Sequence, residues 1–172
     1  MPSLPIGCDM SDAAYTRPAT WSDVVDLARR LNRHGVRYVL VGGYALAAHG
    51  LVRMTTDIDV AVAPDAENCR RWVAALAELP DRAAAALAGE EDPFQGDTLH
   101  AIRINDEVTV DLMPSVSGIS FETLAAHAVL LDLDGERVPV LDLAGLLMTK
   151  QGNRPKDQAD AALLRAALAA GF

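Results

Sequence analysis

Residues 40 to 62, LVGGYALAAHGLVRMTTDIDVAV, restrict the fold more than any other part of the chain. An apolar run ends in Gly42-Gly43, a short helical pattern closes at Gly50, and a second apolar run carries Asp57 and Asp59. Side chains two apart in a strand share a face. Both carboxylates therefore project together while Ile58 and Val60 turn to the core. Like charges that close raise a pKa or destabilise the strand unless a cation offsets them. The stretch thus demands a strand, a turn and a helix, then a strand that sets acid on an otherwise apolar sheet.

The remainder supplies the matching elements. Thr20 and Asp23 frame the start of a helix that runs to Gly35, with Val24, Leu27, Ala28 and Leu31 on its apolar stripe. A further helix follows Asp65, and an alanine-rich helical stretch lies near residues 81 to 88. TLHAIRI and VTVDLM form a strand pair around the turn NDE, and FETLAAHA is a short helix. VLLDLDGERVPVL reads as a hairpin around Asp134-Gly135. LAGLLMTK and KDQADAALLRAALAAG are two terminal helical segments flanking the polar loop QGNRP. The order predicts an α/β (α+β) fold: a mixed, partly antiparallel sheet flanked by helices. Residues 1 to 19 read as a tail and residues 20 to 172 as one domain ending in the C-terminal helices.

At 172 residues the chain fills one core and is short for two. Fifteen basic against 24 acidic residues give a net charge of -9, which argues against a broad basic surface for nucleic acid but leaves room for a local basic pocket. An RNA contact therefore stays open, with Arg154 and Lys156 as its candidates. Cys8 and Cys69 form neither a disulfide framework nor a zinc spacing. No apolar run reaches the roughly 20 residues needed to span a membrane, and the N-terminus lacks the pattern of a signal peptide. The expectation is a cytoplasmic protein with no membrane partner.

Asp111 sits in EVTVDLM, another apolar strand. If that strand neighbours the first, three carboxylates converge. Hard divalent cations prefer carboxylate oxygen, and two of them suit in-line phosphoryl or nucleotidyl transfer. Asp57, Asp59 and Asp111 are thus the candidate catalytic and metal-binding residues, with Asp111 placed to accept the acceptor hydroxyl's proton. Gly42 and Gly43 would let backbone N–H groups approach phosphate, and Arg53, Thr55 and Thr56 lie where a triphosphate could be steadied. Plainer readings stand beside these. The glycines suit a tight turn, Arg53 a surface ion pair, and Asp111 an ion pair with Arg103 on the neighbouring strand. Trp21, Trp72 and Tyr44 suit core packing, and His34 and His49 suit helix ends.

The pattern VGGYALAAHGLVRMTTDIDV, followed by an isolated strand aspartate, resembles the polymerase-beta-type nucleotidyltransferase superfamily. The wording is closest to its small bacterial members, the minimal and abortive-infection toxin-type nucleotidyltransferases. The resemblance covers roughly residues 36 to 163 and extends to KQGNRPKDQADAALL. It implies that Gly42 and Gly43 contact nucleotide phosphates and that Asp57, Asp59 and Asp111 bind Mg²⁺ or Mn²⁺. It also implies that Lys150 contacts the triphosphate and that Lys156-Asp157 shapes the pocket. Gly43-Tyr44 departs from the serine that many members carry there. The implied activity moves an NMP from an NTP, such as ATP, to an acceptor hydroxyl on a small molecule, RNA or protein, with release of pyrophosphate. A protein partner or homo-oligomer would complete the acceptor site. The rival readings are a non-catalytic nucleotide-binding or toxin–antitoxin component and a metal-dependent phosphoesterase.

Overall fold

A computed structural model describes residues 16–97 and 99–172; Cys8 and most of the expected tail lie outside them. The elements run α1 (Trp21–Arg33), β1 (Tyr38–Val41), α2 (Gly42–Ala48), β2 (Ile58–Val62), α3 (Ala66–Leu76), β3 (Ile102–Asn105), β4 (Thr109–Met113), a small hairpin of β5 (Ser115–Val116) and β6 (Ile119–Ser120), α4 (Phe121–Ala126), β7 (Ala128–Leu133), β8 (Glu136–Leu141), α5 (Leu143–Met148) and α6 (Pro155–Ala169).

Six strands make one mixed sheet in the order β3-β4-β2-β1-β8-β7. The pairs β1/β2, β3/β4 and β7/β8 are antiparallel, while β2/β4 and β1/β8 are parallel. The predicted mixed, partly antiparallel sheet with flanking helices is the observed one. β1 is buried throughout, as YVLV requires, and in β2 only Asp59 is not fully buried. Ile58 and Val60 face the apolar stripe of α1, with Val24, Leu27 and Leu31 opposite them. The period of two then turns Asp59 to the other face.

Several boundaries differ from the expectation. Gly42 and Gly43 form the first turn of α2 instead of preceding it. Asp57 stands in a bend, and β2 begins only at Ile58. The alanine-rich stretch is a single 3-10 turn over Ala83–Leu87, entered through Arg82 in the left-handed region. Buried Asp106, in the turn between β3 and β4, accepts the backbone N–H groups of Asp81 and Ala83, both at 2.9 Å. That anchor fixes the approach to the short helical turn.

At the N-terminal edge, Thr20 and Asp23 form a reciprocal capping box on α1, worth about 1 kcal/mol. Residues just before it are tied down. Ala19 is buried and donates its N–H to the Thr56 carbonyl at 2.9 Å, and the Tyr44 hydroxyl donates to the Ala19 carbonyl. Trp72 is fully buried and packs against Phe94, with ring centroids 6.1 Å apart. No helix among the described residues is long and apolar enough to cross a membrane.

Candidate active site

The face of the sheet that carries Asp59 opens into a cleft of about 680 Å³, closed on its far side by the end of α5, the loop 150–154 and the start of α6. That is ample for a nucleotide. β2 and β4 run in parallel register with Asp59 opposite Asp111, and β3 pairs Arg103 with Asp111 from the outside. Two strand positions and one bend thus bring Asp57, Asp59 and Asp111 to one rim.

Their electrostatic situations differ. Asp111 is nearly buried and accepts two hydrogen bonds from Arg103, Nε to Oδ1 and Nη2 to Oδ2, both at 2.9 Å. The same Nη2 reaches Asp57 Oδ2 at 3.4 Å, so one guanidinium bridges two of the three carboxylates. The two acids in turn hold the Arg103 guanidinium above its ordinary pKa. Asp57 also accepts the Thr56 hydroxyl at 3.2 Å. Asp59 accepts no N–H among the described residues. Burial and the neighbouring Asp111 and Asp57 charges push its carboxyl up to about 7.

Gly42 is required by that geometry. It adopts φ +69°, and a Cβ there would overlap the Asp59 carboxylate. Gly43 serves packing: a Cβ would come within 2.6 Å of Thr55 Cβ. Of the two glycines only Gly42 lines the cleft.

The opposite wall is cationic. The chain has two lysines, Lys150 and Lys156, and both line the cleft. Asp160, buried on α6, forms ion pairs with Arg53 Nε through Oδ1 and with Lys150 Nζ through Oδ2, each at 3.2 Å, and Asp157 lies 3.7 Å from Lys150. Arg53 and Lys150 are themselves largely buried, so both cations are held fixed toward the cavity. Lys156 is exposed and makes no ion pair among the described residues.

The family profile described as "Nucleotidyl transferase AbiEii toxin, Type IV TA system" matches residues 26–164, most of the chain. The chain belongs to the AbiEii nucleotidyltransferase toxin family. No curated protein matches it. Among solved structures, the chain is similar in fold to a candidate nucleotidyltransferase of Thermotoga maritima, with 16% identity and a TM-score of 0.52, over 86% of this chain and 91% of that one. It is also similar to an antigenic nucleotidyltransferase-like protein of Paracoccidioides brasiliensis, with 18% identity and a TM-score of 0.52, over 87% and 78%. A third similar fold is the antibiotic-resistance factor ANT(2'')-Ia, with 14% identity and a TM-score of 0.54, over 88% of each chain.

The chain gathers Gly42, Arg53, Thr56, Asp57, Asp59, Asp111, Lys150 and Lys156 around one cleft, and Gly43 is not part of its lining. The ion pair weighed for Asp111 with Arg103 is present; Arg53 also pairs with an acid, but with buried Asp160 inside the cleft and not at the surface. Among the described residues no three metal-ligating side chains stand together as a ready-made shell, and at Asp57 and Asp111 the Arg103 guanidinium lies between the carboxylates. Sequence reasoning missed Asp160. Its signal was an acid on the stripe that continues through Ala161, Leu164 and Ala167, the buried positions of α6.

Proposed function

We propose that the cleft transfers a nucleoside monophosphate from an NTP to an acceptor hydroxyl with release of pyrophosphate. One observation carries the reading: three aspartates from separate backbone positions line one rim of a cleft whose wall bears both of the chain's lysines. An acidic rim facing a fixed cationic wall is the arrangement that a triphosphate and hard cations require together.

The donor set fits Mg²⁺ or Mn²⁺. All three groups are hard carboxylates, and Asp59 accepts no N–H among the described residues, so its oxygens are open to a cation. Asp57, Asp59 and Asp111 would hold such ions, which would neutralise charge on the phosphates and acidify the attacking hydroxyl. Lys150 and Arg53, held by Asp160, bind and orient the triphosphate, and Lys156 contacts it from the loop side. Gly42 keeps side-chain bulk away from Asp59 at the cleft floor. The acceptor oxygen bonds to the α-phosphorus as the α–β bridging P–O bond breaks, and Asp111 accepts the hydroxyl proton. Pyrophosphate carries away the charge of the leaving oxygen.

The family description as part of a type IV toxin–antitoxin system supports a protein partner for this chain. The test follows label from each α-labelled NTP, with Mg²⁺ or Mn²⁺, into protein, RNA and small molecules of a cell extract. Label in one fraction, absent with the Asp57→Asn/Asp59→Asn variant, identifies the acceptor class. Free phosphate with no labelled product would replace the transferase reading with a phosphoesterase. Nucleotide binding without turnover would favour the sensing reading.

A further inference from the structure

Two kinds of cation line the cleft. Arg53 and Lys150 are largely buried and paired with Asp160 on α6. Arg103 differs in both respects: its side chain is 57% exposed, and its partners are Asp111 and Asp57 themselves. It also stands on β3, the outer strand of the sheet, so no further strand covers its outward side.

We propose that Arg103 is a resident counter-cation for the carboxylate rim, which a divalent ion must displace, and so a positioning residue that sets how tightly the site takes metal. The inference rests on the metal-site reading above. The geometry is specific. A single Nη2 serves Asp57 at 3.4 Å and Asp111 at 2.9 Å, while Nε takes the second Asp111 oxygen at 2.9 Å. Those oxygens are the ones a hard cation would use, so the guanidinium competes with a metal ion for them. The fork-shaped contact is charge-assisted and therefore strong, yet its exposure gives the side chain a free path outward. Asp59 stands outside this clamp, so it is left as the first ligand open to an incoming ion. Once displaced, the guanidinium remains on the wall of the same cleft, within reach of a bound anion.

The test titrates Mn²⁺ into the full EDTA-treated chain without nucleotide, reading free Mn²⁺ by electron paramagnetic resonance. It compares the parent with Arg103→Gln, Asp59→Asn and the double variant. Arg103→Gln binds about tenfold tighter than the parent, and adding Asp59→Asn abolishes the gain. A merely structural arginine would leave Mn²⁺ affinity unchanged at equal melting temperature. Equal or weaker binding by Arg103→Gln, with Asp59→Asn weakening both, overturns the displacement and spares the metal site. Binding that Asp59→Asn leaves untouched, or no binding at all, overturns both. Should Arg103→Gln fail to fold, Arg103→Lys carries the test: tighter binding than the parent supports the inference, and equal or weaker binding overturns it.

Discussion

Asp23 and Asp59 are both partly buried aspartates, and the protein treats them in opposite ways. Asp23 accepts from Arg17 Nη1 and Nη2 at 2.7 and 2.8 Å, from the Thr20 N–H at 2.7 Å and from the Thr20 hydroxyl at 2.8 Å. Those donors pull its carboxyl down to about 2, the Arg17 bonds contributing most. Asp59 has acids for neighbours in place of donors, and burial with Asp111 and Asp57 pushes it up to about 7. A carboxylate that the chain satisfies by itself holds structure together. One that no N–H satisfies has coordination to offer. Asp160 stands between them, buried like a structural acid but spending both oxygens on cations of the cleft.

The sharpest way to break this contrast is to neutralise each acid in turn. Asp59→Asn or Asp111→Asn should lower label transfer by about a thousandfold while the far-ultraviolet circular dichroism stays that of the parent. Asp23→Asn should leave transfer within a few-fold. Comparable losses at the two sites would erase the distinction.

Asp160→Asn should then cost about 3 kcal/mol of stability in urea, because buried Arg53 loses its partner and Lys150 keeps only Asp157. A cost near zero would show that Arg53 and Lys150 are solvated and free, contrary to their burial.

The pH dependence separates the two aspartates by sign. Asp59 is raised from 3.8 to about 7, so the folded chain retains a proton that the unfolded chain has released. Its contribution is full below about pH 4 and is lost as pH rises to about 7. In EDTA at pH 8, Asp59→Asn should therefore be more stable than the parent by about 4 kcal/mol, with the gap closing towards pH 4. A gap that stays constant with pH would break the assignment.

Asp23 is lowered from 3.8 to about 2, so its contribution is present above about pH 4 and is lost as pH falls towards 2. Asp23→Asn should cost about 1 kcal/mol near neutrality, with the difference shrinking across that acid window in a denaturant series. A difference that grows on acidification would be the wrong sign.

Part of this was legible in the residues. The capping pair Thr20 and Asp23 is local, three residues apart, and its helix begins where that chemistry says it should. Asp59 in an apolar strand and Gly42 at a strand end were legible as well. Their mutual explanation was not, because the two are 17 positions apart and meet only when β1 pairs with β2. The expected helical stretch near residues 81 to 88 is present as a 3-10 helix over Ala83–Leu87; its type and length were not legible, because alanine propensity is a weak prior and buried Asp106, 25 residues from Asp81, holds that backbone.

The sequence by itself determined which groups this protein has to work with: carboxylates set on apolar strands, a glycine pair at a strand end, and a basic loop before the last helix. Strand periodicity and capping act over a few residues, so they survive in a linear reading. The tertiary structure alone decided the partners. Asp59 lies beside Asp111 through the parallel register of β2 and β4, Arg103 bridges Asp57 and Asp111 from the outer strand, and Asp160 fixes Arg53 and Lys150. Electrostatic energy depends on separation in space, and every one of those distances is set by how the strands and helices pack.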